Sequence, residues 1–406
     1  MTQAPGNPLR SHPSFRYFFL CRMSATMLLQ MMMVIVAWQM YDGTHSAYDL
    51  GLVGLAQFIP SLALCLLVGQ IADRHDRRRI LMGCMVLQCV IAILLIAATH
   101  GGWLDRTVLL LASVGLGIAR AFQMPTQQAL LPMLVPQSLL PRALALNAAG
   151  TQFATITGPA AGGFLYVAGA SAVYGCCVGM GIFATVMLGL IRYERALPKR
   201  EQVTLQSLFA GIGFIWQRKE VLGAISLDLF AVLFGGATAL LPVFARDVLH
   251  TGSWGLGLLR SAPAIGALLV SLYLARHPIE RRVGKLMFFS VGMYGVTTMI
   301  FALSTSFAVS LAALVLTGAF DMVSVVVRQS LVQLETPDGM RGRVSAVNSI
   351  FVGASNQLGE FESGLTAGWM GAPASVLLGG AATVCIVALW MRLFPALTQR
   401  QKLTTA

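Results

Sequence analysis

Residues 128–147 read QALLPMLVPQSLLPRALALN, and residues 329–348 read QSLVQLETPDGMRGRVSAVN. Laid over one another at an offset of 201 residues, they match at Gln128 and Gln329, Pro136 and Pro337, Arg142 and Arg343, and Asn147 and Asn348. The same offset carries outward to Gly117 and Gly318, Gly158 and Gly359, and Gly163 and Gly364. A single register held over nearly 50 residues, at close to half the length of a 406-residue chain, marks an internal duplication.

Composition says what is duplicated. The chain is 56% hydrophobic and 11% charged, with a mean hydropathy of +0.74, whereas soluble domains carry about 25% charged residues. Apolar stretches of about 20 residues, the length a helix needs to cross a bilayer, recur throughout. They run at about 18–40, 50–72, 80–99, 107–134, 143–166, 170–192, 221–243, 254–275, 286–304, 306–334, 343–367 and 372–392. The expected fold is an all-α membrane protein of twelve transmembrane helices in two pseudo-symmetric six-helix bundles, 1–192 and 221–406, related by an axis along the membrane normal. Between them, 193–220 is polar and basic around RYERALPKREQ and then amphipathic in LQSLFAGIGFIWQR, which predicts a surface-lying cytoplasmic helix.

The 28 Lys and Arg residues divide unevenly over this topology: 22 fall on the side shared by both termini and two, Arg106 and Arg246, on the other. By the positive-inside rule both termini are expected in the cytoplasm. The net charge of +12 then reflects a basic face beside anionic lipid and calls for no nucleic acid. Residues 1–16 are polar and lead straight into an apolar segment, unlike a cleaved signal peptide. The seven cysteines show no C-x-x-C spacing, and neither a metal site nor a disulfide framework nor a cofactor is expected. No phosphate-binding G-x-x-x-x-G-K-[ST] loop occurs, which leaves an ion gradient as the energy source for any pump.

Between the second and third spans the chain reads GQIADRHDRRRI, residues 69–80. Gly69, Asp73, Arg74, Arg77 and Arg78 in this spacing resemble the loop signature of the major facilitator superfamily, with Asp76 where that family has Gly. Asp tolerates a left-handed backbone better than most residues, which keeps a tight turn open to the chain. The resemblance implies that Asp73 helps latch one half against the other in the outward-open state. The fifth span holds GPAAGG, residues 158–163, which resembles the end of the superfamily's antiporter signature. Physically, Pro159 bends the helix while Gly158, Gly162 and Gly163 allow close helix contact. LDLFAVLFGGATALLPVFARDVL, GLGLLRSAPAIGALL, TPDGMRGRVSAVNS and LGEFESG resemble an exporter subgroup that includes enterobactin (catecholate siderophore) exporters and proton-driven drug exporters. This implies proton-coupled efflux of a small molecule, siderophore or drug-like, by a monomer in the bacterial inner membrane. An uptake permease, a membrane-embedded enzyme and a non-transporting sensor are the competing readings. The spans hold no histidine for a His-dependent hydrolase, and no large soluble domain for a sensor.

Ionisable residues inside spans are functional candidates, because each is costly unless it meets water or a partner. The acids are Asp228, Asp321, Glu360 and Glu362, all in the second half; Arg22, Arg120, Arg260 and Arg328 are the cations. In the fourth span Ser113, Gly117, Arg120, Gln123 and Gln127 form one helical stripe, which the 201-residue shift turns into Gly318, Asp321, Ser324 and Arg328. In the superfamily the fourth and tenth spans line the central cavity. Arg120, Gln123, Gln127, Ser324, Arg328 and Glu362 are therefore candidate substrate contacts, with Arg120 and Asp321 as opposed charges. Asp228, Asp321 and Glu360 are candidates for proton coupling, which needs a carboxylate whose pKa changes as burial raises it and a cation lowers it. Asp228 is open to taking a proton or to pairing with Arg260 or Arg328, and Arg22, about five residues into its span, is within snorkelling reach of the cytoplasmic surface. Two residues apart, Glu360 and Glu362 point about 200° from each other. Ser345, Ser349, Asn356 and Ser363 share a stripe within about 20° of Glu360, which predicts Glu360 toward water and Glu362 toward a neighbouring helix.

Overall fold

A computed structural model describes residues 12–192, 205–279 and 281–402, all of them helical or in short connections, with no strand among them. The helices are α1 Pro13–Thr44, α2 Ala47–Arg74, α3 Arg77–Gly101, α4 Arg106–Leu130, α5 Leu140–Leu165 and α6 Ala170–Leu190. There follow α7 Leu205–Gln217, α8 Lys219–Phe234, α9 Leu241–Val243, α10 Gly252–Arg276, α11 Val283–Leu303, α12 Phe307–Glu335, α13 Asp338–Met370, α14 Ala372–Leu393 and α15 Pro395–Gln399. Every expected span is helical, the seventh being shared between α8 and α9. Ten spans are long and apolar enough to cross a membrane by composition. The other two, α5 and α13, have 26 and 33 residues and the length to do so, but are rich in small and polar side chains. These two are also partners under the duplication.

The described residues cluster into two compact units: one ends at Val36 and resumes at Ala56, and the other combines Ala37–Leu55 with the residues from 205 onward. The first is cored by Phe15, Phe18 and Ala25 of α1 with Leu81, Met85, Ala119 and Leu188. The second is cored by Leu227, Met287, Phe288, Val327 and Leu331. α7 belongs to the second: Gly211 lies 3.0 Å from the Arg343 carbonyl for an added Cβ, and Ile215 packs with Val344 and Val347. Residues 193–204 of the expected linker lie outside the described residues.

Two of the matched glycine pairs are helix crossings, repeated in each unit. A methyl group added at Gly117 would come within 2.4 Å of the Gln57 carbonyl oxygen on α2, and one at Gly318 within 1.9 Å of the Pro263 carbonyl oxygen on α10. Gly158 likewise meets Met27 and Gln30 on α1, while Gly359 meets Val232 and Leu233 on α8. The duplication thus conserves the sites where backbones touch, which tolerate only hydrogen at Cα. Gly318→Ala is expected to lower stability by about 1–3 kcal/mol through overpacking. Gly292→Ala, with its nearest neighbour 3.9 Å away, should be neutral; equal melting of the two variants would contradict this assignment.

The expected loop signature is also structural in part. Arg77 is buried, and its Nη1 donates to the Ala129 carbonyl at 2.8 Å and to Met133 Sδ at 2.9 Å. Arg78 Nη1 donates to the Ile191 carbonyl at 2.8 Å. Both arginines therefore sit on the negative C-terminal ends of α4 and α6. The left-handed backbone that Asp76 would tolerate is not used: its φ is −65°, and its side chain caps α3 by accepting from the Arg78 N–H. An N-cap requires extended backbone and an oxygen acceptor, and Asp supplies both. The side chains of Gly69, Asp73 and Arg74 lie outside the described residues.

Candidate functional site

The second unit holds a buried polar cluster where the seventh span breaks. Gly235 and Gly236 end α8, since consecutive glycines are poor helix formers, and the surroundings leave no room for anything larger. An added Cβ at Gly235 would come within 2.6 Å of the Tyr294 ring, and one at Gly236 within 2.5 Å of the Gly359 carbonyl oxygen. The chain resumes as a 3-10 turn at Ala237–Leu240, α9, and a π-helical turn at Phe244–Val248. Tyr294 Oη donates to the Gly235 carbonyl at 3.0 Å, tying α11 to the break. A cavity of about 160 Å³ opens there, lined among others by Gly236, Tyr294, Thr298, Thr317, Asp321 and Asn356.

Asp321, Ser324 and Arg328 follow one another at i, i+3 and i+7 on one face of α12. Arg328 Nη1 donates to Asp228 Oδ2 on α8, so the partner of Asp228 is Arg328 and not Arg260. The pair is deeply buried, with Asp228 5% and Arg328 3% exposed. Burial at that depth makes the pair costly to break. Arg328 Nε is buried without an acceptor. Asp321 is half-buried and makes no hydrogen bond or ion pair among the described residues. Asp228, Tyr294, Asp321 and Ser324 line one crevice of about 10 Å³, room for about one water molecule. One arginine, two carboxylates and a crevice the size of one water molecule thus lie together in the interior of a membrane-spanning bundle.

Other expected contacts fall elsewhere. Gln123 is buried and accepts from Gln88 Nε2 of α3 at 2.9 Å, so it serves a helix interface and offers no exposed surface to a solute. Gln127 and Ser324 are also buried, and Arg120 is half-buried on α4. Arg328 is engaged with Asp228 and is not an open cavity contact. Gly158 and Gly162 of α5 pack on α1, Gly162 at 3.2 Å from Met31 Cα for an added Cβ. Pro159 lies inside α5 beside them and Gly163 is buried.

The two acids of LGEFESG are both half-buried, where the helical wheel sets Glu360 toward water and Glu362 toward a neighbouring helix. Glu360 lies against Gly54 at the start of α2, with Oε2 2.9 Å from where a Cβ would be, and Gly364 meets Gly51 one turn along. Glu362 is half-buried and its carboxylate makes no hydrogen bond or ion pair among the described residues. A wheel drawn for α13 alone carries no information about α2, whose glycines make room for Glu360.

One feature escaped sequence reading altogether. In the second unit, Tyr41 Oη donates to Asp247 Oδ2 and Arg246 Nη1 donates to Asp42 Oδ1. The end of α1 and the π-helical turn are therefore joined by two reciprocal contacts. Adjacent Arg246 and Asp247 in the chain carry no periodicity, so only the fold reveals the pairing. Because Arg246 and Asp42 are 31% and 50% exposed, the ion pair should be worth roughly 0.2–1 kcal/mol. Asp42→Arg should lower the melting temperature slightly and adding Arg246→Asp should restore it; a double-mutant cycle with no coupling energy would refute the contact.

Comparisons with known proteins agree with this architecture. Residues 3–404 match the family model described as transmembrane secretion effector. The chain is 26% identical over 356 residues to the enterobactin exporter EntS of Shigella boydii serotype 18, covering 84% of this chain and 82% of that protein. It is also 26% identical over 349 residues to the EntS of Escherichia coli O1:K1, with the same coverage. Among solved structures, a bacterial homologue of the human lysosomal transporter Spinster superimposes with a TM-score of 0.75 at 14% identity, covering 97% of this chain and 99% of the other. A bacterial homologue of the iron transporter ferroportin superimposes with a TM-score of 0.70 at 15% identity, covering 97% and 100%. At those identities the structural likeness speaks for the fold alone.

Proposed function

The chain belongs to the transmembrane secretion effector family of the major facilitator superfamily and is a multi-pass membrane transporter, not an enzyme, and we propose that it exports a small molecule in exchange for protons. The substrate class is a siderophore or a drug-like compound, by likeness to relatives named as enterobactin exporters. The setting is a bacterial inner membrane with both termini in the cytoplasm, in keeping with the charge asymmetry of the loops.

The observation that carries the reading is Asp321: an unpartnered carboxylate beside a buried Asp228–Arg328 pair, on a crevice that both acids line. A proton on Asp321 leaves one negative charge beside one arginine, and the cluster is neutral. Removing it leaves two carboxylates for a single guanidinium, whose free Nε is the donor available to the second. Protonation of Asp321 and the placement of Arg328 are thereby linked, and access to the cavity at the Gly235–Gly236 break is where a solute competes in the same equilibrium. Alternating access needs such a two-state element, since binding that ignored the proton would couple nothing.

Proteoliposomes with an imposed pH gradient test the proposal. Labelled enterobactin or a lipophilic dye should move against its own gradient only while protons run the other way. Solute movement indifferent to the pH gradient would reject proton exchange, and no movement of any solute would reject the exporter.

A further inference from the structure

We propose that the first unit carries a second recognition site, built around Arg22, for an oxyanion on the transported molecule, typically a carboxylate; this rests on the exporter reading above. A cavity of about 640 Å³ lies where α1 and α5 begin and α4 ends, within the roughly 300–1,000 Å³ range of small-molecule sites. Its polar lining comes from Arg22 of α1, Gln128 of α4, and Asn147, Thr151 and Gln152 of α5. No acid lines it.

Arg22 does not snorkel freely. It is half-buried, some two and a half helical turns inside α1, and its Nε donates to Thr151 Oγ1 at 3.2 Å. Thr151 Oγ1 in turn donates to the Asn147 carbonyl at 2.9 Å. The guanidinium is thereby oriented, yet it makes no ion pair and no further hydrogen bond among the described residues. A cation at that depth is costly unless water or an anion meets it. Beside it Asn147 is 7% exposed, and its Oδ1 is buried with no partner. A guanidinium fixed through Nε keeps its Nη donors for a planar, bidentate acceptor.

The duplication gives an internal comparison. The 201-residue register retains Gln329 and Asn348 in the second half but places Val352 and Gly353 where this cavity has Thr151 and Gln152. The group that orients Arg22 is therefore particular to the first half and is not inherited from the repeat.

The test uses purified full chain in phosphatidylcholine nanodiscs, with carboxyfluorescein as an anionic probe and rhodamine 6G as a cationic one on the same ring system. Saturable carboxyfluorescein binding is expected, weakened roughly tenfold or more by Arg22→Gln and retained only in part by Arg22→Lys, which keeps the charge without the planar fork. Thr151→Val, which releases the guanidinium without removing it, should weaken binding about threefold and serves if Arg22→Gln does not fold. Rhodamine 6G binding should not change in any variant. No binding by the parent chain, or unchanged carboxyfluorescein binding by both Arg22→Gln and Thr151→Val, overturns the site. Loss of carboxyfluorescein binding in phosphatidylglycerol nanodiscs would assign the cavity to a lipid phosphate and also overturn it. Proton-driven movement of rhodamine 6G into proteoliposomes separates the two readings: its persistence with no carboxyfluorescein binding leaves the exporter standing without this site. The reverse outcome leaves the site without the exporter.

Discussion

Asp321→Asn is expected to reduce pH-gradient-driven transport to the level of empty liposomes while the protein stays folded. The amide is nearly isosteric with the carboxyl group, and Asp321 has no ion pair or hydrogen bond among the described residues whose loss would leave a buried group orphaned. Its role in the proposed exchange is to gain and lose a proton, which Asn cannot do. Passive exchange of solute down its own gradient should therefore persist, and Asp321→Glu should retain part of the coupled activity. Gradient-driven accumulation by Asp321→Asn at the parental rate would exclude this residue as the coupling group.

The largest stability effect is expected at Arg328. Arg328→Met leaves Asp228, 5% exposed, without its partner, and breaking a buried pair from one side costs about 3–5 kcal/mol. Replacing both, with Asp228→Leu added to Arg328→Met, removes the orphaned charge and fills the space with apolar atoms, so thermal stability should return close to that of the parent. Coupled transport should not return with it, because the cluster that links proton to access is gone. Parental melting of Arg328→Met, or a double variant less stable than the single one, would contradict the ion pair's role in holding α8 to α12.

Several parts of the site were legible in the chain before any fold was known. Asp228, Asp321 and Arg328 stand out because charge within a long apolar run is expensive, and α12 brings the last two to one face by helical spacing alone. The choice between Arg260 and Arg328 as the partner of Asp228 was not legible, since both lie on other helices and sequence distance does not order contacts between helices. Gln123 misleads for a related reason: the polar stripe of α4 predicts a cavity face, but the stripe contains a buried hydrogen bond to Gln88. A polar side chain satisfied by another helix looks, in one sequence, the same as one left for a solute.

The sequence alone determined the number of spans, the duplication, and the small set of charges placed in the membrane. These follow from local quantities: the length of an apolar run, its period, and a register shared by two halves. Only the tertiary structure decided that two of the repeated glycine pairs are backbone crossings, that Gly235 and Gly236 break the seventh span beside Asp321, and that Tyr41 and Asp42 meet Asp247 and Arg246. It also set Glu360 against Gly54 of α2. Each of these depends on what stands across from a residue on another helix, and that is set by the packing of entire surfaces, which no single helix encodes.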